Sequence, residues 1–154
     1  MISFKKIVTS LLISSISLSA NAQDAVNSAY KNGLELLEKH KYAAAAYQFG
    51  QVQKSGKAGE LSLLQENATF YQALCAQELG QADAENLLLT FITYHPENTL
   101  SQQAYYQLGR TYFAKKDYVK TINWLTKTSA INLSTSLVLD YNFKLGYAYF
   151  ENKE

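Results

Sequence analysis

The sequence predicts an all-α fold, an α-α superhelix of stacked helical hairpins with about three and a half repeats. Three observations carry that prediction. Residues 104–125, AYYQLGRTYFAKKDYVKTINWL, read as two amphipathic helices joined by a tight turn. The pattern then recurs: Leu108, Gly109, Tyr112 and Phe113 return 37 residues later as Leu145, Gly146, Tyr149 and Phe150. Gly33, Leu37, Tyr42 and Phe49 stand 76 residues before Gly109, Phe113, Tyr118 and Leu125, which leaves room for one more copy between them. Self-similarity at such a period is the mark of a helical solenoid. An apolar fraction of 47% with a single proline suits helices that bury one face.

Residues 1–22 stand apart from this pattern. Lys5 and Lys6 precede an apolar run from Ile7 to Leu18, and Ala20-Asn21-Ala22 supplies an A-x-A cleavage site. This is the pattern of a secretory signal peptide, too short to span a membrane comfortably. The alternative is a short anchor that stays uncut. A lipid anchor is disfavoured, because no cysteine lies near the cleavage site. Cleavage leaves 132 residues, enough to bury a real core. Loss of Lys5 and Lys6 leaves 12 basic against 13 acidic side chains, a net charge of −1. Such a near-neutral balance gives no electrostatic footprint for nucleic acid.

The repeats fall at about 25–59, 60–97 and 98–134, with a partial one at 135–154. The first hairpin runs from about Asp24 to Lys54 and breaks at Lys39-His40-Lys41, and Ala43 to Ala46 thin one side of its second helix. Ser55 to Gly59 reads as a linker, since two glycines in five residues defeat helix propagation. The second hairpin spans roughly Glu60 to His95, turns at Leu79-Gly80-Gln81 and ends at Pro96, after which Asn98 or Thr99 can start the next helix. In the third, Tyr105, Leu108 and Tyr112 share a face with Gly109 inside it. Mid-helix glycine costs about 1 kcal/mol against alanine, so close approach of a second helix is its expected reason. Asp117 is placed to cap that second helix, on which Tyr118, Ile122 and Leu125 share a face. After a loop at Asn132 to Ser136, a helix runs from about Leu137 to Phe150 and carries apolar residues around much of its circumference. A solenoid normally finishes with a polar-faced capping helix. The expectation is therefore a fragment of a longer protein, or a helix that self-associates.

Little in the chain points to catalysis. Cys75 is the single cysteine, so no intramolecular disulfide can form, and it reads as a small apolar helix residue. His40 and His95 lie in turns, far apart, without partners at metal-ligand spacing. Glu35, Glu38, Glu78 and Glu85 read as solvated helix faces. No phosphate-cradling loop, nucleophile elbow or zincin motif occurs. No catalytic residue, metal or cofactor is expected, and the chain reads as a non-enzyme. Asn67-Ala68-Thr69 and Asn132-Leu133-Ser134 fit the glycosylation sequon, but the short signal looks bacterial.

The repeated residues resemble the tetratricopeptide repeat, whose pattern asks for a large residue, Leu-Gly and Tyr, then Tyr, Ala, Phe and a late Pro. Tyr105, Leu108, Gly109, Tyr112 and Tyr118 match in the third copy, and Gly33, Tyr42, Ala45 and Phe49 in the first. The second copy departs most: Ala73 stands for the glycine, Ala84 for the alanine, and its inter-helix turn looks one residue short. The third copy has Thr121 where alanine is expected. The resemblance covers roughly Ala25 to the C-terminus, and its period of 37 to 38, against the family's usual 34, puts extra residues into loops.

The resemblance implies a concave groove lined by the first helix of each hairpin. Carried onto this chain, the groove positions are Asn27, Tyr30 and Leu34, then Gln103, Tyr106, Arg110 and Phe113, then Phe143 and Tyr147, with Phe70 and Leu74 for the irregular second copy. An aromatic groove with one arginine suits an extended or helical peptide, and Arg110 would take a carboxylate bidentately. The competing expectation is that these rings pack on one another. The function expected is a non-enzymatic interaction scaffold of the bacterial envelope, in the periplasm, at the outer cell envelope or secreted, and residues 87–113 also look like periplasmic envelope-assembly and cell-division repeat proteins. The alternative is the accessory region of a larger exported enzyme or assembly factor whose active domain lies beyond Glu154.

Overall fold

The structure, a computed structural model, describes residues 23–55 and 61–153. Every regular element among them is helical, with no strand. The order is α1 (23–38), α2 (Tyr42–Lys54), α3 (Leu61–Glu78), α4 (Ala84–Tyr94), α5 (Ser101–Ala114), α6 (Tyr118–Leu125), a 3-10 turn (Ala130–Asn132) and α7 (Thr135–Glu151). The expected signal peptide and most of the expected linker, residues 56–59, lie outside the described residues.

The repeat is written into the backbone. Among the described residues, φ is positive at His40 (55°), Gly80 (67°), Lys116 (58°) and Lys153 (59°). Each lies seven positions after Gly33, Ala73, Gly109 and Gly146, the four residues that anchor the sequence register. A left-handed residue just past a helix lets the next N–H groups turn back onto the last free carbonyls. Lys116 and Asp117 donate to Phe113 and Tyr112 carbonyls, both at 3.0 Å. His40 and Lys41 do the same to Leu37 and Leu36 at 2.9 and 2.8 Å, and Gly80 and Gln81 to Gln77 and Ala76 at 3.0 and 2.9 Å. Lys153 repeats the first of these bonds, to Phe150 at 3.2 Å. One turn geometry thus closes three hairpins' first helices and ends α7 in the same way.

The second turn carries the expected one-residue deficit. Ala45 and Thr121 come five positions after their left-handed residue, whereas Ala84 comes four after Gly80. The chain absorbs the loss at the helix start. Gln81 to Asp83 form a turn in which Ala84 N–H reaches the Gln81 carbonyl at 3.2 Å, and α4 begins only at Ala84. Its helix still delivers Leu88 and Phe91 to the core.

The helix starts refine the sequence reading. Asp117 caps α6 as expected, its Oδ1 accepting the Lys120 N–H at 3.1 Å. Asp117→Ala should therefore cost about 0.5–2 kcal/mol, measured by urea unfolding; an unchanged midpoint would mean the cap is silent. The third hairpin starts later than expected, at Ser101. Asn98 Oδ1 accepts the Leu100 N–H at 2.9 Å, and Ser101 Oγ donates to the His95 carbonyl at 2.7 Å. Asn98 thus closes a turn ahead of the helix, where its side chain offers the backbone a local partner. α7 starts at Thr135, two residues before the expected Leu137.

The helices form two compact units, divided between Ala68 and Thr69 within α3. In the first, Phe49, Ala45 and Val52 of α2 are fully buried, and the Phe49 ring lies over Gly33 of α1. In the second, Phe70, Ala73, Leu88, Phe91, Ala104 and Leu108 make one cluster. Tyr106, Leu125, Leu133 and Tyr141 make another. Here α5 packs on α4, α6 and α7, and α6 also packs on α7. Cys75 is buried as expected, and desolvation, aided by Glu78, pushes its thiol up to about 11, which keeps it protonated at neutral pH.

Candidate functional site

In the second unit, α3, α5 and α7 are the first helices of successive copies, and a cleft of about 690 Å³ opens between them. Gln77 of α3, Tyr106, Arg110 and Phe113 of α5, and Asp140 and Lys144 of α7 line it. Helical spacing explains the α5 contribution: residues 106, 110 and 113 fall on one stripe. Lys144 and Asp140 are one turn apart on α7 for the same reason.

An ion pair and a hydrogen bond between neighbouring copies, with one ion pair inside α7, make the polar wall. Arg110 Nη2 donates to Glu78 Oε1 at 2.5 Å, joining α5 to α3. Tyr106 donates its hydroxyl proton to Asp140, which Lys144 also engages, joining α5 to α7. Burial works against the charged form of Asp140, but the bonds from Lys144 and Tyr106 outweigh it and hold the carboxyl below its ordinary range. Burial first, then the bond to Asp140, pushes the Tyr106 phenol well above the usual tyrosine range. Gln77 Nε2 donates to the Gln107 carbonyl at 3.0 Å and to Thr111 Oγ1 at 2.7 Å, while its Oε1 has no partner among the described residues.

Rings form the apolar wall. Phe113 meets Phe143, Tyr147 and Tyr118 edge-on, with centroids 6.2, 5.6 and 6.1 Å away. Tyr118 meets Tyr147 at 5.9 Å, and the Lys144 ammonium lies 5.3 Å from the Phe113 centroid. Edge-to-face rings add about 0.5–1.5 kcal/mol per pair beyond area burial. This wall is a packed cluster with one side open: Phe143 is 61% exposed and Tyr147 39%.

The expected groove residues divide sharply. Arg110, Phe113, Phe143 and Tyr147 converge on the cleft or its ring wall. Tyr106 touches the cleft but is only 1% exposed, a wedge between α5, α6 and α7. Gln103 lines a separate recess of about 370 Å³ with Asn98, Thr99 and Asn132. Phe70 is fully buried in the core and Leu74 packs against it, so neither is a groove residue; helical periodicity marks an apolar arc without saying which neighbour covers it. In the first unit, Asn27 is exposed on α1, Leu34 is half-buried, and Tyr30 rests edge-on against Phe49 at 5.9 Å. Glu78 and Glu85 are corrected as well: neither is a free solvated face. Glu78 holds Arg110, so the carboxylate on Arg110 comes from this chain through one nitrogen, not from a ligand through two. Glu85 takes Lys115 at 2.8 Å and the Tyr112 hydroxyl. The residues missed were Gln77, Asp140 and Lys144. Only the one-turn spacing of the last two could have drawn notice.

Among the described residues, no three His, Cys, Asp or Glu side chains gather to hold a metal, and no helix is long and apolar enough to cross a membrane. No protein-family model, curated protein or solved structure matches the chain.

The two phenols make alkaline stability a readout of this network. The bond to Glu85 first, then burial, raises Tyr112 to about 12 from an ordinary 10.0, and Tyr106 is raised too. A raised folded-state value means that the unfolded chain loses its proton first. This contribution is complete below pH 10 and disappears as pH rises through the folded values. Unfolding free energy should fall from about pH 10 upward, and Tyr112→Phe should flatten that fall between about 10 and 12. Urea titrations at stepped pH check it; parallel curves for variant and parent would show that Tyr112 is not coupled to folding.

Proposed function

We propose that this chain is a tetratricopeptide-type, non-enzymatic interaction module of the bacterial cell envelope, exported by its N-terminal signal. It holds a peptide or a protein segment in the cleft between α3, α5 and α7. The observation that carries the reading is the cleft's position on the first helices of successive copies, with apolar rings on one side and fixed ion pairs on the other. The recurrence of one left-handed turn seven residues after each register position supports the repeat assignment. A fold of this kind hosts many functions, and only the chemistry of its site distinguishes among them. Its charges are already paired, which favours a partner that inserts an apolar side chain beside Phe113 and meets Arg110 and Lys144 with backbone carbonyls. Orientation set in advance lowers the ordering cost of binding.

Selection from a displayed random-peptide library tests this. Enriched peptides should lose at least about tenfold in affinity with Phe113→Ala, the cost of an aromatic anchor. A change at the exposed Tyr47 of α2 should leave affinity unaltered. No enriched peptide, or enrichment indifferent to Phe113, would overturn the reading. Export is tested separately: N-terminal sequencing of the protein from a bacterial host should begin at Gln23, and a cytoplasmic product retaining Met1 would sink it.

A further inference from the structure

The lining of the cleft offers hydrogen-bond donors and few acceptors. Arg110, Lys115 and Lys144 all reach its surface. Among the described residues, each donates to one carboxylate: Arg110 to Glu78, Lys115 to Glu85 and Lys144 to Asp140. A guanidinium or an ammonium carries more N–H groups than one such oxygen takes, so the rest are left to solvent. The acceptors are engaged or hidden. Glu78 and Glu85 lie outside the lining, and Asp140 already accepts from both Tyr106 and Lys144. Thr111 Oγ1 is held between Gln77 Nε2 and the Gln107 carbonyl, and Gln77 Oε1 is buried.

Resting on the reading of the cleft as a peptide site, we infer that it takes its partner as an extended segment laid across α3, α5 and α7, not as a helix. Covering the cleft strips water from its N–H groups, so the partner has to bring acceptors. Each donor left without one costs about tenfold in affinity or more. A helix ties up its carbonyls in its own bonds, except in its last turn. An extended segment keeps a free carbonyl at every residue and sends alternate side chains to opposite faces. One set of side chains then meets the rings around Phe113, while the carbonyls meet Arg110, Lys115 and Lys144.

The span sets the length. The path from Gln77 of α3 to Lys144 of α7 crosses two interhelix spacings, each about 8–10 Å. An extended chain rises about 3.3 Å per residue and covers that distance in about five or six residues. A helix rises about 1.5 Å per residue and would need about eleven to thirteen.

Two displayed libraries selected on the mature chain test this. One presents random linear peptides with a proline fixed at the centre, which a helix interior does not accept. The other randomises the exposed face of one helix in a three-helix bundle. Binders that lose affinity with Phe113→Ala should come from the first library. The best of them should stay within about tenfold of its affinity when cut to about six residues, a length at which no isolated helix is stable. It should gain no helical dichroism on binding. Exchanging its amides singly for thioamides, which are weaker acceptors, should cost about threefold or more at one position at least. Phe113-dependent binders from the helical library alone, or from both libraries at equal affinity, overturn the inference and leave the peptide site standing. So does a linear binder that turns helical, fails at six residues or ignores every thioamide. No Phe113-dependent binder from either library overturns both.

Discussion

Gly109→Leu is expected to destabilise the protein by about 1–3 kcal/mol, while Gly146→Ala, at the same register position one copy later, should stabilise it by about 0.5–1 kcal/mol. Sequence alone gives the two glycines one role. The structure separates them. A Cβ on Gly109 would lie 2.6 Å from Leu125 Cγ and nearer still to its Cδ2, closer than carbon atoms approach without displacement. Leu125 is fully buried in the cluster with Tyr106, Leu133 and Tyr141, so it has nowhere to swing. At Gly146 the space is open, and only the backbone entropy of glycine is at stake. Gly33 belongs with Gly109, since its added Cβ would stand 2.7 Å from the Phe49 ring. Thermal melts at low concentration read the difference, with each kcal/mol moving the midpoint by a few degrees. A double variant supplies the mechanism. With Leu125→Ala already present, Gly109→Leu should cost far less than alone, or even recover stability, because its side chain enters the space that Leu125 leaves. Equal melting of Gly109→Leu and Gly146→Ala would show that the register is wrong.

The hairpins and their register were legible because helical period and repeat period reinforce each other. Gly109 announced the close approach that Leu125 makes, and Gly80 announced a turn. His40, Lys116 and Lys153 did not announce themselves. Non-glycine residues adopt the left-handed conformation only where the surrounding turn imposes it, so their φ follows from position in the repeat rather than from residue type. The site was half legible. Phe113, Phe143 and Tyr147 were indicated by the resemblance, and their rings do meet. The polar contacts between copies were not, because Arg110 finds Glu78 32 positions away and Tyr106 finds Asp140 34 positions away. No local pattern encodes a pairing between two first helices of successive copies. For the same reason Tyr106 and Phe70 could not be told from groove residues: each is apolar on an apolar arc, and the neighbouring helix decides which end of the arc is covered.

Tyr106 is where that distinction carries the largest energy. Tyr106→Ala should cost about 3–5 kcal/mol, a large part of the 5–15 kcal/mol typical of a folded domain. The ring is 1% exposed and fills the space shared with Leu125, Leu133 and Tyr141, so its removal leaves a cavity bounded by helices that cannot all close on it. Tyr106→Phe keeps the ring and deletes only the hydroxyl bond to Asp140. Asp140 retains Lys144, so the loss should be about 1–3 kcal/mol, in the range for a hydrogen bond to a charged group. The acid limb carries a second signature. Asp140 is held below its ordinary value, so its contribution is present above that value and is lost as pH falls through the folded one. Removing the Tyr106 hydroxyl takes away one of the two bonds that lower it, and the acid-side loss of stability should become shallower. Denaturant titrations at neutral pH and near pH 3 measure both effects. If Tyr106→Ala instead melted like the parent and lost only peptide affinity, Tyr106 would be a surface contact of the cleft, and the cluster that joins α5, α6 and α7 would have to be held by Leu125 and Tyr141 without it.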